Sequence, residues 1–378
     1  MQTMENIYLD NAATTSLSPE VLDAMMPYLL NEYGNPSSVH KNGRNAKLAI
    51  ENARRSVASL LGVHHSTIYF TSGGTESNNM VIAGMARSGY IRYILTSATE
   101  HHAVLHPVEK SGTPSTYLAI DEYGRPCLDD LKRQLKKLNG RCLVSLMAAN
   151  NETGVLTDVN GAAKITLSNN GLFHTDAVQY IGHYPMDLSA MPIHFASASG
   201  HKFHGPKGTG ILYIKEGIEL IALIDGGGQE KNMRSGTENV AGIAGFAKAL
   251  EIAMRDYETH KKQLRYLRNH LKKEIKERIP AVVINEDPNE EGLYTILSVS
   301  IPFDDEVAGI TLLLDQNGVS ISGGSACSGG SVSHVMKALG RDKNYETLRF
   351  SFSRYNKAEE ILAVIRILNM IYKGVDSI

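Results

Sequence analysis

The run Cys142-Leu143-Val144-Ser145-Leu146-Met147 is apolar on consecutive positions, interrupted only by Ser145. A strand that hides one face repeats its apolar residues at every second position. An unbroken run instead needs cover on both faces, as in a parallel sheet clad by helices. The run gives way to the polar turn Asn150-Asn151-Glu152-Thr153-Gly154. Further strand patterns stand at Thr67 to Phe70, Tyr93 to Thr96, Tyr117 to Ile120, Leu172 to Thr175, Ile193 to Ala198 and Ile211 to Ile214. Helical spacing separates them, at Met80, Val81 and Met85, from His101 onward, and over Leu128 to Leu138. Such alternation specifies an α/β fold with a largely parallel sheet.

Before this block, Ser18 and Pro19 open a helix as N-cap and first helical residue, and a second helical pattern, Ala46 to Leu61, stops at Gly62. Beyond Ala241 the pattern becomes one long amphipathic stretch ending at Pro280, read as a single helix that spans two domains. Strands Tyr294 to Ile301 and Thr347 to Phe352 follow, bracketing a helix from Ala308 to Leu314 and a Gly/Ser-rich loop from Ser320 to Ser333. The domain boundary therefore falls near residues 252 to 262.

At 378 residues and 42% hydrophobic content the chain can build a large domain and a smaller one. Its 38 basic and 40 acidic residues are interspersed, which gives no footprint for direct nucleic-acid or membrane binding. The first residues lack a basic segment followed by an apolar one, and no run of membrane-spanning length occurs, so the expected location is cytoplasmic. Three scattered cysteines, Cys127, Cys142 and Cys327, suit neither a disulfide framework nor a zinc site, and no metal is expected. Cys127 reads as a loop residue and Cys142 as a core residue.

The chemistry gathers around Lys202, which lies between Ser197-Ala198-Ser199-Gly200-His201 and the glycine-rich Phe203-His204-Gly205-Pro206-Lys207-Gly208. Backbone of this kind lets an amine at a sheet end meet a carbonyl closely. Asp176 and Gln179 follow a strand; Gly74 and Thr75 sit where a glycine turn feeds a helix and leaves N–H groups for a phosphate. A pyridine cofactor joined to a lysine needs an acid beside its ring nitrogen, and Lys202 with Asp176 supplies that pair. Gln179 can donate to the cofactor's phenolate oxygen, and His101 can stack on the ring and carry protons.

These features, with Tyr8-Leu9-Asp10-Asn11-Ala12-Ala13-Thr14-Thr15, Gly34-Asn35-Pro36-Ser37-Ser38-Val39-His40, Thr99-Glu100-His101, Arg234-Ser235-Gly236-Thr237 and Ser325-Ala326-Cys327, run in order through nearly the whole chain. The sequence resembles the pyridoxal-phosphate-dependent cysteine desulfurases, fold-type I enzymes of the class V aminotransferase superfamily, in the group serving iron-sulfur cluster assembly and transfer-RNA thiolation. The resemblance implies a large domain over residues 16–255 with a mostly parallel seven-stranded sheet flanked by helices. It implies a smaller α+β domain over 1–15 and 256–378, carrying a mobile cysteine loop at about 320–333.

It further implies that Lys202 holds pyridoxal 5'-phosphate covalently, Asp176 pairs with the pyridine nitrogen, Gln179 bonds the phenolate oxygen and His101 stacks on the ring. Gly74, Thr75, Ser199 and His201 would hold the phosphate, with Thr237 reaching in from the partner of a homodimer. Asn151 and Arg354 would bind the carboxylate of L-cysteine. Cys327 would take the sulfur as a persulfide, leave L-alanine, and hand the sulfur to an acceptor such as a cluster scaffold or a transfer-RNA thiolase. Alternatives are selenocysteine lyase or aminotransferase activity on the same scaffold, or a non-catalytic scaffold that binds a sulfur carrier.

Overall fold

In the computed structural model, which describes residues 6–279, 281–289, 292–302, 309–323, 333–341 and 345–375, side chains included through 372, successive residues of the central strands serve two different cores. The strands are β2 (Ile68–Thr71), β3 (Tyr93–Ser97), β4 (Ser115–Leu118), β5 (Cys142–Ser145), β6 (Leu172–Asp176), β7 (Phe195–Ser199) and β8 (Gly210–Ile214); β1 (Ile7–Tyr8) lies elsewhere. Leu143 joins the cluster of Met80, Ile82, Met85, Val104 and Val108, whereas Val144 joins that of Val57, Leu131, Ala162, Phe246 and Leu250. Ile94 and Leu95 divide in the same way, as do Leu212 and Ile211. Helices α3 (Gly74–Ser88) and α4 (His102–Lys110) supply the first cluster. The second takes residues from α1 (Pro19–Leu30), α2 (Lys41–Leu60), α5 (Leu128–Lys137), α6 (Val159–Ser168) and α7 (Val240–Arg255). Cover on both faces is the reason β5 lacks alternation.

The seven strands run in the order β2-β8-β7-β6-β5-β3-β4. Only β8 is antiparallel to its neighbours. The connections leaving the carboxyl ends of β2, β3, β5, β6 and β7 therefore gather on one edge of the sheet, the position where open α/β sheets bind ligands.

A third buried cluster, with Leu264, Leu271, Leu297, Val299, Leu348, Phe350 and Ile361, lies around a four-stranded antiparallel sheet of order β12-β13-β10-β9. Its strands are β9 (Val283–Ile284), β10 (Ile296–Pro302), β12 (Ser322–Gly323) and β13 (Tyr345–Ser351). Helices α8 (Tyr257–Arg278), α9 (Ile310–Gln316) and α11 (Ala358–Val375) cover it, while α10 (His334–Ala338) precedes β13. Strand β1 pairs in parallel with β11 (Val319–Ser320), so the chain's first strand belongs to this second layer.

Three details depart from the sequence pattern. The long amphipathic stretch is two helices, because Asp256 leaves helical geometry at φ −102° and ψ 11° and takes two hydrogen bonds from the Arg255 guanidinium. Ser18 is the α1 N-cap without a side-chain cap; its buried N–H donates instead to His204 O at 3.0 Å. Strand β4 begins two residues earlier than the apolar pattern, at Ser115, and Ile120 bridges to Pro126. The seven-stranded, mostly parallel sheet is as expected. No described helix is long and apolar enough to cross a membrane.

Candidate active site

Five strand ends contribute to one open cavity, lined by Gly74, Thr75, His101, Asn151, Asp176, Gln179, Ser199, His201 and Lys202. Lys202 ends a single turn of tight helix, Gly200–Lys202, directly after β7. Its Nζ donates to Ala12 O at 2.7 Å and Ala13 O at 2.9 Å, carbonyls of the segment that follows β1. Gln179 Nε2 donates to the same Ala12 carbonyl at 2.9 Å. The N-terminal segment thus seats the lysine.

Asp176 is the last residue of β6 and is 6% exposed. Asn78 Nδ2, one turn into α3, donates to its Oδ2 at 2.6 Å, and the Val178 N–H donates to its Oδ1 at 3.0 Å. His101 is the N-cap of α4: its Nδ1 accepts the Ala103 N–H at 3.0 Å, which places the ring proton on Nε2. Burial lowers the His101 pKa, Asp176 opposing and Lys202 adding to the effect, so the ring is neutral. Next to it Glu100 is fully buried, with Oε1 accepting the Met147 N–H at 2.7 Å. Burial, reinforced by Asp176, raises that carboxyl well above the usual range.

The amino end of α3 forms the opposite wall, where the first N–H groups of a helix have no partner within it. Gly74 lies against Val178, and a Cβ there would come 2.4 Å from Cγ2. Ser199 and His201 complete this wall. His201 Nδ1 is 3.1 Å from Thr14 Oγ1, and burial with Lys202 and Lys207 nearby lowers its pKa to about 4. A phosphate placed here meets helix N–H groups and a hydroxyl.

The site reading from sequence meets three different outcomes elsewhere. Arg354 does not line this cavity; it lines a second, smaller one with His183, His204, His260 and Tyr294. Ala12, Gln179 and Lys202 line both. Thr237 is exposed and lines neither cavity of its own chain. Cys327 lies outside the described residues. Of the other cysteines, Cys127 is exposed at the start of α5, and burial pushes the Cys142 thiol up to about 12.

The arginine that does line the Lys202 cavity is Arg349 on β13, 5% exposed. Its Nη1 donates to Asn151 O, and its Nη2 to Asp10 Oδ1 and Ser322 Oγ, each at 2.9 Å. Its Nε has no partner among the described residues. The signal was present in the sequence, because Arg349 interrupts the otherwise apolar Leu348-Arg349-Phe350, and a buried charge in a strand needs a task. Asn78 was missed for lack of any such local signal.

A lysine and an aspartate at the carboxyl ends of parallel strands, beside a helix amino terminus, place the protein among the fold-type I enzymes. The chain belongs to the aminotransferase class-V family, which matches over residues 7–364 and whose members depend on pyridoxal phosphate. It is 42% identical to the cysteine desulfurase IscS of Dictyoglomus turgidum, over 98% of this chain and 96% of that protein. It is 40% identical to the IscS of Methanosarcina thermophila, over 96% and 91%. Among solved structures, a NifS-like protein of 37% identity superposes with a TM-score of 0.89, covering 98% of this chain and all of that one.

Proposed function

We propose that this protein is a cysteine desulfurase that uses pyridoxal 5'-phosphate to convert L-cysteine to L-alanine and collects the sulfur on Cys327. The observation that carries the reading is the placement of Lys202, Asp176, His101 and Arg349 on one cavity. The cavity fits the cofactor: Asp176 for a pyridine nitrogen, Gln179 for a phenolate, the α3 amino end with Ser199 and His201 for a phosphate, and Lys202 for the aldehyde. When bound, the cofactor supplies an electron sink for charge released at the substrate Cα.

The protein's own groups divide the remaining work. Arg349, with Asn151 beside it, receives the substrate carboxylate: the resemblance implies Arg354 for this role, but Arg349 is the arginine that shares the Lys202 cavity. Lys202, once its amine is released, takes the Cα proton and delivers one to the carbon that becomes the alanine methyl. His101, neutral with its proton on Nε2, donates from the ring face. The Cys327 thiolate attacks the substrate sulfur, an S–S bond forms as the C–S bond breaks, and the electron pair stays with carbon. One cysteine and one thiol become one alanine and one persulfide. A sulfur acceptor such as a cluster scaffold or a transfer-RNA thiolase then takes the outer sulfur.

The working unit is a homodimer in which the exposed Thr237 of each subunit completes the partner's phosphate site. Residues 16–255 form the cofactor domain, and 1–15 with 256–378 form the smaller one, divided at the helix break of Asp256. The test is an absorbance spectrum before and after L-cysteine, with alanine and sulfide quantified. Borohydride reduction and peptide mapping should find the cofactor on Lys202, and attachment elsewhere would overturn the reading. Cys327→Ala should abolish sulfide release while the cofactor band remains; near-normal turnover in that variant would remove the persulfide role.

A further inference from the structure

Arg349 is a buried guanidinium whose charge is answered from two distant parts of the chain. Asp10 follows β1, and Ser322 begins β12. Arg349 Nη2 donates to Asp10 Oδ1 and to Ser322 Oγ, both at 2.9 Å, and Ser322 Oγ donates to Asp10 Oδ1 at 2.7 Å. The three groups close a triangle of hydrogen bonds on one nitrogen. Asn151 O holds Nη1 from the other side. The guanidinium is thus fixed in plane by an anion, a hydroxyl and a carbonyl, while Nε has no partner among the described residues.

We propose that Asp10 and Ser322 are positioning residues that fix the Arg349 fork for the carboxylate of an amino-acid substrate. An arginine side chain has many rotamers, and a planar fork recognises a carboxylate only in a narrow range of orientations. Asp10 supplies the counter-charge that lets Arg349 stay buried and extended when no substrate is bound. Ser322 orients that carboxylate by donating to the same oxygen that accepts from Nη2. The arrangement also ties carboxylate recognition to β12, the strand from which the chain runs on toward Cys327 in sequence.

The inference rests on the desulfurase reading only in taking the ligand to be an α-amino acid, so its test uses ligands without sulfur. L-Alanine carries the carboxylate and ethylamine does not, and the affinity of each for the cofactor-loaded protein is read from the change in cofactor absorbance. Asp10→Ala should weaken L-alanine about tenfold relative to ethylamine, the scale of a lost charged hydrogen bond. Asp10→Asn, which keeps an acceptor at Oδ1, should recover part of that loss, and Ser322→Ala should cost about threefold. In steady state Asp10→Ala should raise KM for L-cysteine more than it lowers kcat. A change in the L-alanine to ethylamine ratio of less than threefold in Asp10→Ala overturns the proposal. So does tighter L-alanine binding, which would make Asp10 a competitor of the substrate. If the parent protein shows no absorbance response to L-alanine or L-cysteine, the desulfurase reading falls and this assignment falls with it.

Discussion

At Gly74 the α3 backbone lies so close to Val178 that an added Cβ would fall 2.4 Å from its Cγ2. Val178 also donates its N–H to Asp176, so one contact joins the α3 amino end to the carboxylate proposed for the cofactor's ring nitrogen. Overpacking of this kind costs about 1–3 kcal/mol. Gly74→Ala is therefore expected to retain pyridoxal phosphate about tenfold less well, read as the ratio of cofactor to protein absorbance after dialysis; equal retention would show that the wall yields. The two arginines offer a second contrast. Arg349→Ala should raise KM for L-cysteine by about 10- to 100-fold, and Arg354→Ala by far less, measured by alanine formation. The family resemblance carried the carboxylate role to Arg354, in Phe352-Ser353-Arg354. The strand ends at Ser351, and past that end no periodicity says which way a side chain points.

Elements were legible where periodicity was strong, and their ends were not. The strands carrying Asp176 and Ser199 lie where the apolar runs placed them, since a face hidden on both sides leaves its mark in composition. The break between α7 and α8 was not readable, because Asp256 disturbs no hydrophobic period on either side. Equally hidden was the turn at Glu230, Lys231 and Asn232, where three successive non-glycine residues have φ of 43°, 58° and 66°. That left-handed conformation costs free energy and needs an anchor. The anchor is Glu230, 5% exposed, which accepts from Arg54 at 2.8 and 2.7 Å and from the Phe70 N–H at 2.8 Å. Glu230→Ala removes the two-pronged partner of buried Arg54, leaving it Glu51 and the Ile68 carbonyl, and should cost about 3 kcal/mol in denaturant unfolding. The same loop leads to Thr237, so cofactor retention should fall together with stability.

Across the molecule, three buried histidines, His174, His194 and His204, and two half-buried ones, His183 and His201, set the response to acid. His174 is fully buried between Ser145 Oγ at 2.8 Å and Ser197 Oγ at 3.2 Å, and burial lowers its pKa from 6.5 to about 3. His183, His194, His201 and His204 are each lowered to about 4, burial being the largest cause throughout. The unfolded chain binds protons on these rings below pH 6.5 while the folded chain does not, so stability is full above that pH and is lost as pH falls toward 3 to 4. His174 alone accounts for a loss on the order of 4 kcal/mol by pH 3. The melting temperature should drop steeply between pH 6.5 and 4, and His174→Asn should flatten that slope; a flat profile in the parent would contradict the burial account.

The carbonyls of Ala12 and Ala13 that seat Lys202 belong to the segment after β1, and β1 is held by β11, Ile7 opposite Val319. During synthesis the Ile7 segment must wait until the distant Val319 segment has been made before it finds this neighbour. Nascent chains arrested short of Val319 are expected to hold the large sheet yet leave residues 7–15 open to protease. Lys202 then acquires its carbonyl seat only once the chain has been made past Val319.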